Sequence, residues 1–214
     1  MIRPGISTAE SRFLLHGVPW DVYVLLRDAP ENYHVRMTYT RGTLEMMSPS
    51  RPHERFSKMI GRLIETWAEE LDIPIQGCQT TTLRRQDLEH GLEPDQCYYV
   101  EHEALVRANT DLNLAKDPPP DLALEVDLSG SASDKPSLYA TFGVPELWRY
   151  DGRSLRVLRL GPGGQYVETQ ASESLPGFPL KEAQRVLQQL GTASDTALVK
   201  SFREWVRSNA LPRR

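Results

Sequence analysis

Across residues 35–47 the chain reads VRMTYTRGTLEMM, with β-formers alternating around Arg41-Gly42, which predicts a hairpin whose turn is supplied by glycine. After Ser50 and Pro52 the period changes. Phe56, Met59, Ile60, Leu63, Ile64, Trp67, Ala68 and Leu71 recur at steps of three and four and leave Lys58, Arg62, Glu65 and Glu69 outside, the pattern of an amphipathic helix. Three β-like stretches follow, IPIQGCQTTTLRR, PDQCYYVEH and PPDLALEVDLS, expected side by side in one sheet. A short helix is expected from about Lys135 to Phe142 and ends at Gly143; strands then fall at ELWRYDG, LRVLRL and QYVET, the last two joined by a turn at GPGG. From Phe178 onward the spacing predicts two amphipathic helices, the second carrying Leu198, Phe202, Trp205 and Val206 on one face. The tail LPRR reads as frayed. The order of elements is that of an α/β (α+β) chain, a mixed β-sheet flanked by helices, with an N-terminal hairpin and C-terminal helices.

A length of 214 residues with 39% hydrophobic residues is enough for one good core. The expected division is a principal domain over 33–170, an N-terminal extension over 1–32 and a helical extension over 171–214 packed on the same domain. The formal net charge of -4 gives no whole-molecule attraction to polyanions, so any contact with nucleic acid has to be local. Cys78 and Cys97 are too few for a disulfide framework and read as packed thiols. The apolar patch from Phe13 to Leu15 is short and lacks a small-residue cleavage site, and no run approaches the roughly twenty apolar residues of a membrane span, so a cytoplasmic protein is expected.

The chemistry is concentrated in two Pro-Asp pairs, Pro94-Asp95 and Pro120-Asp121. Proline is tolerated at a strand's first position, so each aspartate should stand where a strand begins. Alternation then turns Asp121, Ala123, Glu125 and Asp127 to one face and Leu122, Leu124 and Val126 to the other. Carboxylates at Asp121 and Glu125 would share a pocket, which Asp95 on a neighbouring strand could join. Such a cluster calls for a cation or raised pKa values, and oxygen-only ligands select Mg²⁺ or Mn²⁺. Lys135 follows ten residues after Glu125 and could reach the pocket if the intervening SGSASD turns back. Carboxylates, metal and lysine together suit phosphodiester hydrolysis. The plainer reading is that Asp121 only starts its strand and that Glu125 or Asp127 is the polar face of an edge strand.

The blocks LEMMSPSRPHE, GLEPDQCYYV, PPPDLALEVDLSGSASDK and YATFGVPELWRYDG, in that order over residues 33–166, resemble the restriction-endonuclease family called Uma-two, within the PD-(D/E)XK nuclease superfamily. The resemblance implies a restriction-endonuclease-like core and a metal-dependent DNA endonuclease. By position Asp95 matches the acid of the PD half-motif and Glu125 that of the (D/E)XK half. Asp127 stands where the strict motif has lysine, and Lys135 matches a lysine moved to the following helix. Asp121 matches a further family aspartate, a second ligand or water-orienting group. The resemblance thus implies catalysis by Asp95, Asp121, Glu125 and Lys135, with the first three holding Mg²⁺ or Mn²⁺. Glu45 and His53 fall in the first block and would border the site, although a locally satisfied helix start explains His53 equally well. Arg55, Lys58 and Arg62 share one helix face and, with Arg84 and Arg85, are candidates to contact DNA; a solvated helix face explains the first three as readily. Many nucleases of this superfamily pair to cut both strands, so a homodimer is expected, with no membrane association. Two other readings remain open: a nuclease fold kept as a non-catalytic nucleic-acid- or protein-binding module, and a hydrolase of some smaller phosphoester.

Overall fold

The computed structural model of the chain describes residues 10–129 and 134–210. The tail LPRR and most of the SGSASD segment lie outside them. In chain order the elements are β1 (Ser11–Leu15), α1 (Trp20–Asp28), β2 (Arg36–Thr40), β3 (Thr43–Ser48), α2 (Arg51–Glu70), β4 (Gln76–Gly77), β5 (Leu83–Arg85), β6 (His90–Leu92), β7 (Gln96–Tyr99), α3 (Glu103–Val106), β8 (Leu122–Val126), α4 (Lys135–Phe142), β9 (Glu146–Tyr150), β10 (Leu155–Leu160), β11 (Tyr166–Thr169), α5 (Leu180–Gln188) and α6 (Asp195–Asn209). None of these helices is long and apolar enough to cross a membrane.

Two sheets form where one was expected. A five-stranded sheet runs β1-β3-β2-β6-β5 and a six-stranded sheet runs β11-β10-β9-β8-β7-β4. The stretch IPIQGCQTTTLRR is therefore split: Gln76–Gly77 pairs with β7 in the larger sheet, and Leu83–Arg85 pairs with β6 in the smaller one. The predicted hairpin is β2–β3, and both turn residues, Arg41 and Gly42, have positive φ, the condition for the tight turn that matches strand twist. In the larger sheet β8 and β9 are parallel and bridged by α4, while β7 and β8 are antiparallel.

The alternation of β8 sends its two faces into different layers. Leu122, Leu124 and Val126 pack with Met59, Ile60, Leu63, Ile64 and Trp67 of α2 and with the C-terminal helices; Ala123 on the other face packs with Leu138, Tyr139 and Phe142 of α4. The α2 start is capped by Ser50, whose Oγ accepts from the His53 amide. Gly143, at φ 76°, ends α4 in the left-handed conformation. Three residues, Glu93, Pro94 and Asp95, carry the chain from β6 in one sheet to β7 in the other.

Candidate active site

Asp95 stands on that crossing. Its amide donates to Leu124 O at 3.1 Å and its Oδ2 accepts from the Val126 amide at 2.7 Å, which fixes it beside the far end of β8. The first turns of α2 are tied to the same point, because Ser57 Oγ donates to the Asp95 carbonyl and receives Gln96 Nε2. His53, one helical turn before Ser57, therefore faces Asp95, with Nε2 3.2 Å from Oδ2. That is ion-pair distance, but off the line of a hydrogen bond, and neither ring nitrogen has a hydrogen-bond partner among the described residues.

Glu125 occupies the same end of β8 and is buried. Its Oε2 accepts from Lys135 Nζ at 2.6 Å and its Oε1 from Tyr139 Oη at 2.5 Å, both donors coming from one face of α4 at i, i+4 spacing. Burial, the largest influence, and the Asp95 charge raise the Glu125 pKa despite Lys135 and Tyr139. For Asp95 burial also opposes ionisation, but His53, Lys135 and the Val126 amide outweigh it and hold the carboxyl below its ordinary range. Burial works against the Lys135 ammonium, and Glu125 and Asp95 more than compensate, so Lys135 stays charged. Two neighbouring carboxyls thus differ in proton affinity, with a fixed ammonium beside them.

Asp121 is not in this group. Because β7 and β8 are antiparallel, residues that begin the two strands lie at opposite ends of the pair. Asp121 precedes Glu125 by four residues on one face, roughly 13 Å along an extended strand, too far to share an ion. Its Oδ2 accepts from the Val100 and His102 amides at 2.7 and 3.0 Å, and its Oδ1 lies 2.5 Å from His102 Nδ1. It holds the turn that follows β7.

The smaller sheet supplies the outer wall. Arg12 of β1 reaches across to Glu45 of β3 at 3.0 Å, to Glu10 at 2.8 Å and toward Asp127 at 3.8 Å. Together with Glu125, Lys135 and Arg149 it lines a cavity of about 170 Å³. Arg12, Glu10 and Tyr139 were not among the sequence candidates. Tyr139 was within reach of the i, i+4 rule from Lys135, whereas nothing in the local pattern ties SRFLL to a site eighty residues and more away. Of the basic candidates, Arg55 pairs with Asp195 of α6, Arg84 with Asp28 and Arg85 with Asp87, the last two on the edge of the smaller sheet opposite β1; Lys58 is exposed and Arg62 half-buried on α2.

Whether these residues suit a divalent ion can be judged from the donors. Among the described residues no three His, Cys, Asp or Glu side chains already converge as a cage. Glu125 is engaged by Lys135 and Tyr139, yet Asp95 is held below the ordinary carboxylate range, and among the described residues the buried His53 nitrogens beside it have no hydrogen-bond partner, nor has Glu10 Oε1, whose carboxylate acts on His53. A hard carboxylate next to unpartnered buried polar atoms fits a cation.

Residues 20–193 match a family described as "Uma2: Putative restriction endonuclease". No curated protein matches the chain. Among solved structures, the chain is similar to a crystal structure described as a putative nuclease belonging to DUF820 from Anabaena variabilis ATCC 29413, with 15% sequence identity and a TM-score of 0.52 over 86% of this chain and 99% of that one. At that identity the likeness is one of fold.

Proposed function

The chain belongs to the Uma2 family, and from that membership we propose that it is a metal-dependent endonuclease hydrolysing DNA phosphodiester bonds where Asp95, Glu125 and Lys135 meet. The observation that carries the reading is the Lys135–Glu125 contact at 2.6 Å beside an Asp95 held anionic. Asp95 and Glu125 would hold Mg²⁺ or Mn²⁺, which supplies a water of lowered pKa and neutralises phosphate charge. Lys135, kept charged by both carboxylates, is placed to donate to a phosphate oxygen or orient the attacking water. Arg12 offers a second cation across the cavity for a neighbouring phosphate. Asp121 is assigned to the turn after β7 and takes no part. Lys58 and Arg62 are the basic groups of α2 best placed to meet the DNA backbone, since Arg55 is engaged by Asp195.

Supercoiled plasmid and end-labelled single- and double-stranded DNA and RNA, each with Mg²⁺ or Mn²⁺, test the reading. Wild type should nick or cut DNA, with Glu125→Gln and Lys135→Met each at least about a hundredfold slower, the range for losing one preorganised group. Retention of DNA at low salt without cleavage under either ion would replace the enzyme by a non-catalytic binding module. We further propose that two copies pair, because the edge strand β1 presents Phe13, Leu14 and Leu15 to solvent. Light scattering showing only monomer at micromolar concentration would overturn the pairing.

A further inference from the structure

His53 is a buried ring beside Asp95 to which the proposed reaction assigns no role. It has no exposed surface, and both its nitrogens lack hydrogen-bond partners among the described residues, although Nε2 stands 3.2 Å from Asp95 Oδ2. A neutral imidazole turning its lone pair to a carboxylate sets two acceptors face to face, which persists only if a positive centre lies between them. A proton would serve, and Asp95, Glu10 and Glu125 favour one on His53 despite burial, but the contact is off the hydrogen-bond line, where a proton bridges poorly. A metal ion needs no such line. Two cis ligands of an octahedral ion, each at about 2.1 Å, stand about 3.0 Å apart, close to the spacing found here. Glu10 Oε1, also buried and without a hydrogen-bond partner among the described residues, belongs to a carboxylate whose charge acts on His53.

We propose that His53 is a nitrogen ligand of the cation held by Asp95, and that it biases the site toward a first-row transition ion such as Mn²⁺ over Mg²⁺. This rests on the metal-dependent reading above and adds the identity of the ion. Imidazole is a good ligand for transition ions and a poor one for Mg²⁺, which prefers oxygen and retains its waters. An all-oxygen site would separate the two ions weakly. Replacing one oxygen by imidazole should widen the preference to tenfold or more.

The test measures binding and spectroscopy without reference to turnover. Mn²⁺ and Mg²⁺ are titrated by calorimetry into wild type, His53→Gln and Asp95→Asn, and Mn²⁺-loaded wild type is examined by pulsed electron paramagnetic resonance for a directly bonded nitrogen. The expected result is a nitrogen coupling in wild type and Mn²⁺ bound at least tenfold more tightly than Mg²⁺. In His53→Gln the coupling should vanish and the preference fall several-fold, with Mg²⁺ affinity within about threefold of wild type. Mn²⁺ bound to wild type and lost in Asp95→Asn, but with no nitrogen coupling, would overturn the ligand role of His53 and leave the metal site standing. Absence of binding by either ion, or binding indifferent to Asp95→Asn, would overturn both. The wild-type spectrum decides the matter even if His53→Gln does not fold.

Discussion

At the scale of single residues the pocket is held by donors that each face one carboxylate oxygen, so removing a donor strands a buried acceptor. Tyr139→Phe deletes the hydroxyl that Glu125 Oε1 accepts and nothing else of the ring. It should cost about 1–3 kcal/mol, measurable by urea denaturation. Loss of a hydrogen bond to the ionised form should also raise the Glu125 pKa further, visible by NMR titration of the carboxyl. An unchanged midpoint would mean that Glu125 Oε1 finds another donor. The nearness of Asp95 to Glu125 was legible in the two half-motifs, whereas Lys135 stands outside the strict motif and its contact with Glu125 depends on how α4 packs back on β8. Asp121 was misplaced because a sequence gives the face of a strand residue by alternation but not the direction of the neighbouring strand. That direction decides which end a Pro-Asp pair occupies.

Elements with a strong period and caps were readable, and those without were not. The hairpin and α2 each carry a pattern and a terminus signal, Arg41-Gly42 and Ser50 respectively, whereas α4 is marked by its end at Gly143 rather than by a period. By contrast β1 exposes three successive apolar side chains, and β6 is three buried residues around a glycine; neither alternates. Gly91 in β6 is needed for room. A Cβ there would lie 2.2 Å from Tyr23 Oη and 2.6 Å from Cζ, and Tyr23 is buried and stacked on Tyr39 at 4.8 Å. Gly91→Ala should therefore destabilise by about 1–3 kcal/mol, read from the denaturation midpoint. Between α2 and α6, Glu70 accepts Arg203 and Arg207, which hold its pKa below the ordinary value. A carboxyl depressed in the folded state stabilises above its unfolded pKa, about 4.3, and that gain is lost as pH falls through the lower folded value. Glu70→Gln should cost less than about 1 kcal/mol at neutral pH because the arginines are largely solvated. The difference from wild type should shrink in parallel denaturation curves as pH falls below the unfolded value and through the lower folded one.

Taken whole, the molecule is two sheets between which the chain passes through α2, between β4 and β5, and at Glu93-Pro94-Asp95, and the cavity takes its wall from both: Arg12 from the smaller, Glu125 and the α4 lysine from the larger. No single sheet owns the pocket. Leu83 and Leu92 of the smaller sheet share an apolar cluster with Ala123 and Leu147 of the larger one and with Leu138 of α4, so the gap between the Arg12 guanidinium and Glu125 is set by packing across the seam. A polyanion that met Arg12 and Lys135 together would brace this seam from both sides, and one that met Lys135 alone would brace only the larger sheet. Hydrogen exchange offers a direct reading. A DNA duplex bound with Ca²⁺ should slow exchange in β1 and at residues 93–96 together, whereas a mononucleotide should protect the larger sheet's side alone.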